Sequence, residues 1–157
     1  MIKTFNLIAA IDFNGNIGYQ GKIPWHIKEE LQYFKKVTDI NPIIMGRKTW
    51  DSLPKKPLPN RENLVISSKN KDSFSCLDSA LDYCWNKSKI PFIIGGASIY
   101  EQSIVHPNLN LIYLTIVHGC YKGDVAFPEI PDWFSVFSKK THNDFSTFIL
   151  KRKDYEN

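Results

Sequence analysis

Pro91-Phe92-Ile93-Ile94-Gly95-Gly96-Ala97-Ser98-Ile99-Tyr100 begins with an apolar run too short for a helix and passes through two glycines into a helical pattern. Such a junction predicts a buried strand that turns directly into a helix. Upstream, Leu77, Ala80, Leu81, Cys84 and Trp85 recur at helical spacing on one face, with Ser75 and Asp78 as a start signal resembling a capping box. Further short apolar runs, at 7–11, 43–45, 64–66 and 111–117, read as buried strands. Strands that alternate with helices and have both faces covered imply parallel pairing, because parallel neighbours need a long crossover. The C-terminus differs: 133–138 and 145–151 flank His142-Asn143-Asp144, which predicts a hairpin adding an antiparallel edge strand. The expected fold is α/β, a mainly parallel central sheet of about eight strands flanked by about four helices.

The 157 residues suit one domain over 1–157. With 43% hydrophobic and 23% charged residues, and 8 glycines and 9 prolines, the chain is neither disordered nor collagenous. No apolar run reaches the roughly 18–20 residues that span a bilayer, so neither a signal peptide nor a membrane anchor is expected. Cys76, Cys84 and Cys120 cannot all pair within one molecule and lack zinc-ligand spacing. Reduced cytoplasmic thiols and no metal are expected. The formal charge of +4 fits either a weak nucleic-acid binder or an enzyme with an anionic ligand.

Residues 12–24, with Gly15, Gly18 and Gly21, form a long connection without a period of its own. A lid over a ligand is the preferred reading, and a small hairpin turned by Asn14-Gly15 the alternative. Plotted at about 100° per residue, Ile27, Leu31, Tyr33, Phe34 and Val37 share an apolar arc. Glu30 points with that arc while Glu29 points to water. A carboxylate on a buried face is kept by a partner or by a function, and the wheel leaves both open. Gly46-Arg47-Lys48-Thr49 and Gly95-Gly96-Ala97-Ser98 each follow a strand at a helix start, where free N–H groups attract anions. A Gly-Gly there is also what any tight strand-to-helix turn uses. Ser67-Ser68-Lys69, with Arg47 and Lys48, suits an extra phosphate where an NAD site would carry an acid. Pro57-Leu58-Pro59-Asn60-Arg61 stiffens the backbone before an arginine able to grip a carboxylate, though taken alone it reads as a surface turn. Thr115 interrupts an apolar strand, and such a hydroxyl ordinarily satisfies a backbone carbonyl.

Read in order, Leu7-Ile8-Ala9-Ala10, Ile17-Gly18, Ile23-Pro24-Trp25, Glu30-Leu31-Gln32-Tyr33-Phe34-Lys35 and Ile44-Met45-Gly46-Arg47-Lys48-Thr49-Trp50 resemble one family, dihydrofolate reductase. Pro57-Leu58-Pro59-Asn60-Arg61, Ile94-Gly95-Gly96, Ile99-Tyr100 and Gly123-Asp124-Val125-Ala126-Phe127-Pro128 extend the resemblance through most of the chain. It implies NADPH-dependent reduction of dihydrofolate to tetrahydrofolate, in support of one-carbon metabolism and of thymidylate, purine and glycine synthesis. Glu30 would be the acidic group, assisted by an ordered water near Trp25 and by Thr115. Ile8, Leu31, Phe34, Leu53, Leu58 and Ile94 would wall the pterin and aminobenzoyl groups, and Arg61 would hold the glutamate carboxylate. Ala10, Ile17, Gly18 and Tyr100 would lie near the nicotinamide. Gly46, Arg47, Lys48, Thr49, Ser67, Ser68, Lys69, Gly95, Gly96, Ala97, Ser98 and Ile99 would hold phosphates or ribose. The 12–24 loop would close over the nicotinamide, with Asp124 on a supporting loop. Three departures stand out: Ala97 replaces a common third glycine, Ser98 an arginine of many bacterial members, and Glu30 their aspartate. NADPH preference would then rest on Arg47, Ser68 and Lys69.

The resemblance further implies binding of antifolate inhibitors, a cytoplasmic monomer, and no nucleic-acid or membrane partner. At this length the reductase is expected without the thymidylate synthase fused to some relatives. A related reductase of riboflavin biosynthesis would share the cofactor half, but not the Pro24-Trp25 element with Glu30 or the turn before Arg61. A nucleic-acid binder would gather its basic residues on one face with exposed aromatics; here they are scattered among acids. The joint presence of Glu30, Trp25 and Thr115 argues against a non-catalytic nucleotide-binding module.

Overall fold

A computed structural model describes residues 2–153 apart from 19, 70 and 72. The strands are β1 Phe5–Ile11, β2 Asn16–Gly18, β3 Ile43–Gly46, β4 Asn63–Ile66, β5 Phe92–Ile93, β6 Leu109–Val117, β7 Val125–Ala126, β8 Phe134–Thr141 and β9 Phe145–Arg152. The helices are α1 Lys28–Thr38, α2 Arg47–Ser52, α3 Leu77–Asn86 and α4 Ala97–Ile104. Seven strands form one sheet in the order β4-β3-β5-β1-β6-β9-β8, and β2 pairs with β7 in a separate ribbon. From β4 to β6 the pairings are parallel, whereas β9 runs antiparallel to β6 and β8 to β9.

The mainly parallel α/β sheet therefore stands, with the expected C-terminal hairpin at its edge. Both hairpin arms are antiparallel strands: β9 docks on β6 and leaves β8 as the outer edge. Apart from Phe134, β8 is solvent-exposed, and Lys139 and Lys140 on it discourage further edge pairing. Helix α3 starts one residue later than Ser75 and Asp78 suggest: Cys76 is the N-cap and Ser79 completes the box. That register puts Leu77, Ala80, Leu81, Cys84 and Trp85 in the core.

Side-chain alternation along β1 builds the two layers. Phe5, Leu7 and Ala9 pack with α3 and α4 through Leu81, Ile99 and Ile104. Ile8, on the other face, packs with Ile43, Met45 and Phe92 under α1 and α2. After β1 the chain moves towards β3, but after β5 it moves across β1 to β6. Connections that diverge from adjacent strands open a crevice at their C-terminal ends, where α/β sheets bind ligands.

The segment after β1 contains the tight turn at Asn14-Gly15. Asp12 N–H donates to the Asn16 carbonyl at 3.1 Å, and Gly15, at φ +79°, makes the tight turn. Beyond it β2 leaves the sheet and is laced to 119–127: Asp124 N–H donates to the Gly18 carbonyl (3.0 Å) and Phe127 N–H to the Gly15 carbonyl (2.8 Å). Residue 19 of this segment lies outside the described residues. Among the described residues no helix is long and apolar enough to cross a membrane.

Candidate active site

Glu30 sits in the first turn of α1 and is 8% exposed. No described residue pairs with its carboxyl, and burial pushes its pKa up to about 7. Tyr100, fully buried in α4, donates to the Ile8 carbonyl at 2.8 Å. Burial and then the nearby Glu30 charge both raise its phenol pKa, so it stays protonated. Trp25 is buried with its ring 5.6 Å from that of Tyr121, and its Nε1 has no hydrogen-bond partner.

Parallel register sets the neighbouring positions. Ile8 lies opposite Tyr113 and Ala10 opposite Thr115, so these four side chains face the α1 side of the sheet. Thr115 is 2% exposed. Phe34, Leu53, Leu58 and Ile94 gather around Ile8 on this face, joined by Trp50. Leu31 instead stands 53% exposed between Glu30 and Phe34, an apolar side chain held out at the rim rather than packed in the core.

Arg61 is fixed from two sides. Its Nε donates to the Pro59 carbonyl (2.8 Å) and one Nη to Thr38 Oγ1 (2.9 Å). Thr38, fully buried at the end of α1, donates in turn to the Phe34 carbonyl at 2.9 Å. The Asn63 side chain clips the turn by accepting from Leu58 N–H and donating to the carbonyls of Leu58 and Arg61. The remaining N–H groups of the guanidinium have no hydrogen-bond partner among the described residues, although the Asp39 charge lies near enough to act on it.

The glycine-rich junctions meet at the C-terminal edge. Gly46 N–H donates to the Gly95 carbonyl at 2.9 Å, and the Gly95–Gly96 peptide is cis with Gly95 at φ +128°. A Cβ on Gly46 would lie 3.2 Å from Ile99, and one on Gly96 3.2 Å from Thr49 Oγ1, so a side chain at either glycine would press on its neighbour across the two turns. Neither α2 nor α4 has a side-chain cap at its start. Gly46 pairs with Ile66, which sets Arg47 and Lys48 beside Ser67 and brings Ser68 and Lys69 to the same edge. Arg47 is engaged with Asp51 at 3.2 Å in an exposed ion pair, and Ser98 Oγ accepts from Gln102. Ile17 packs in the cluster that holds Tyr100, whose ring lies 5.0 Å from Phe127. Gly18 lies in the β2 ribbon, and Ala97 opens α4. Among the described residues no group of three His, Cys, Asp or Glu could hold a metal ion.

Sequence reasoning passed over Asp12, Thr38, Asn63 and Tyr121. Asp12 is 1% exposed, and its carboxyl accepts from the N–H groups of Asn14, Asn16 and Tyr121, each at 2.9 Å. Burial alone would raise its pKa, but these backbone donors outweigh burial and hold it below the usual carboxylate value. One side chain thereby joins the end of β1 to the segment whose Tyr121 ring packs on Trp25. An Asp two residues before Asn14-Gly15 is an Asx-turn signal that could have exposed the first half of this role. The link to Tyr121 spans 109 positions and has no local signal.

A buried acid of raised pKa, an apolar wall around Ile8 and two glycine-rich, uncapped helix starts at one sheet edge make up the site of an α/β enzyme. The dihydrofolate reductase family model matches residues 4–155. The chain is 42% identical to the dihydrofolate reductase of Buchnera aphidicola subsp. Acyrthosiphon pisum (strain APS) over 146 residues, 86% of this chain and 87% of that protein. It is 38% identical to that of Bacillus subtilis (strain 168) over 147 residues, 88% and 85% of the two. Against the bifunctional dihydrofolate reductase-thymidylate synthase of Paramecium tetraurelia it is 41% identical over 155 residues, 96% of this chain but only 31% of that protein. The chain belongs to the dihydrofolate reductase family.

Two stability measurements follow. A Glu30 pKa raised from 4.5 to about 7 means that the unfolded chain loses this proton first, so the native state is penalised as pH rises through that window and most above it. In urea unfolding, Glu30→Gln should be more stable than the parent by up to about 3 kcal/mol near pH 8, the gap shrinking below about 1 kcal/mol near pH 5. A pH-independent difference would show that Glu30 is not desolvated. Asp12→Ala, which strands three backbone donors, should cost at least about 2 kcal/mol in the same assay and shift Trp25 fluorescence through Tyr121.

Proposed function

We propose that this chain catalyses NADPH-dependent reduction of dihydrofolate to tetrahydrofolate. The reading includes a single domain over 1–157, a cytoplasmic monomer, inhibition by antifolates in the same cleft, and supply of one-carbon metabolism for thymidylate, purine and glycine synthesis. Glu30 carries it: a carboxyl near pKa 7, without a partner among the described residues, on the helix that walls the cleft.

Adding hydride to a neutral imine carbon is slow until the adjacent nitrogen is protonated or its protonation is favoured. Near neutral pH a substantial share of Glu30 carries a proton, and its carboxyl can also accept hydrogen bonds from the pterin amino group. Buried Trp25 Nε1 has a hydrogen to give to an ordered water beside that group. Thr115, next to Ala10 on the same face, completes the polar set. Ile8, Leu31, Phe34, Leu53, Leu58 and Ile94 supply the apolar walls, which exclude water and strengthen the electrostatic effect. The remaining N–H groups of Arg61, oriented by Thr38 and Pro59, suit the glutamate carboxylate.

The C-terminal edge fits the cofactor. The uncapped starts of α2 and α4, around Gly46, Thr49 and Gly95 to Ile99, offer free N–H groups to its phosphates. Arg47, Lys48, Ser67, Ser68 and Lys69 suit the additional phosphate that distinguishes NADPH, the exposed Arg47–Asp51 pair being weak enough to exchange. Ala10, Ile17, Gly18 and Tyr100 lie where β1, the β2 ribbon and α4 meet, a place suited to the nicotinamide. When bound there, NADPH supplies the hydride. The lacing of 12–20 to 119–127 supports a closing role for that loop, Asp124 accepting from Gln20 N–H at 3.0 Å.

The direct test is loss of NADPH absorbance with dihydrofolate as substrate; no turnover that methotrexate inhibits would end this reading. Glu30→Gln should suppress turnover at neutral pH and recover part of it in acid, where more substrate is already protonated. Arg61→Lys should raise the KM for dihydrofolate about tenfold with kcat little changed, because an ammonium cannot reproduce the planar fork. An effect confined to the KM for NADPH would reassign that turn.

A further inference from the structure

Helix α1 has a second side. Beside the Glu30 cleft and lined by Glu29 rather than Glu30, a groove of about 630 Å³ runs between α1, β6 and the β8–β9 hairpin. Its volume lies in the range of small-molecule sites, roughly 300–1,000 Å³. We propose that this groove binds a small planar aromatic anion, a ligand distinct from those of the reductive cleft.

Apolar and aromatic surface forms the floor: Val37, Tyr113 and Phe145, the last stacked under His142 with ring centroids 4.4 Å apart. Such a floor selects a flat ring, since stacked and edge contacts add to plain burial. Charge selects the sign. Lys36 and Lys140 line the groove, and neither ammonium group has a hydrogen-bond or ion-pair partner among the described residues. Glu29 is the one carboxylate in the lining. Tyr33 is already hydrogen-bonded to Thr147, whereas burial raises the phenol pKa of Tyr113, so that its hydroxyl keeps a proton it can donate to a carboxylate. The anion therefore meets two cations and one phenol, and its ring meets the floor. Adjacent residues of α1 serve different sides, Glu29 the groove and Glu30 the cleft, and Thr147 in the groove is the register partner of Thr115.

The probe is 2-naphthoate, added to the NADPH-loaded protein and followed by amide chemical shifts, with neutral 2-naphthalenemethanol as the control. Saturable shifts are expected at 29, 32–33, 36–37, 113 and 140–147, with the alcohol bound at least about tenfold more weakly. Lys36→Glu combined with Lys140→Glu should weaken naphthoate about tenfold and leave the alcohol unchanged; both lysines are exposed, and an unchanged Tm verifies the fold. Shifts centred on Ile8 and Arg61, equal binding of acid and alcohol, or no saturation up to about 10 mM would each overturn the proposal. Turnover is not the readout, so the outcome is independent of the reductase reading.

Discussion

Both faces of β1 are buried, and most of the structure answers to that constraint. A central strand flanked by parallel partners on each side has no exposed face to turn to water. Helices must therefore cover it above and below, and right-handed crossovers deliver them with their starts at one edge of the sheet. Phe5, Leu7 and Ala9 commit one face to α3 and α4, while Ile8 commits the other to the layer beneath α1 and α2. Ala10 and Thr115, one step beyond, fall where that second layer opens. The cleft is the place where covering the sheet stops.

Glu30 is paid for by this architecture. A carboxyl desolvated to a pKa of about 7 destabilises the native state at neutral pH, and nothing in the protein offsets it locally. The large apolar cluster on the other face of the sheet carries that cost. A site of this kind trades stability for a proton held close to working pH. The same trade is absent at Asp12, a buried carboxyl whose three backbone donors keep it charged. The two acids thus shift in opposite directions: desolvation without a partner raises Glu30, and hydrogen bonding to the charged form lowers Asp12.

Much of the fold was legible because its signals are local. The five parallel strands appear as short apolar runs, and the α3 face of Leu77, Ala80, Leu81, Cys84 and Trp85 reads directly from its spacing. The α1 wheel placed Glu30 on the buried side, and the structure agrees. Leu31 shows the limit of that method: the wheel assigns it to the apolar arc, yet it stands exposed at the rim, since periodicity reports direction but not what lies opposite. Both arms of the C-terminal hairpin are legible in the same way, but strand pattern does not say which arm will dock on β6.

By itself the sequence determined the α/β class, the glycine junctions, the apolar set around Ile8 and the family, all of which depend on residue type and near spacing. Tertiary structure alone decided which long-range groups meet: Asp12 with Tyr121, Arg61 with Thr38, and the groove between α1 and the C-terminal hairpin. Partners such as Asp12 and Tyr121, separated by 109 positions, are brought together by sheet order and loop lacing, and those follow from the packing of the whole chain. The Glu30 pKa belongs to the same class, since desolvation is set by everything around a group and by no neighbour in sequence.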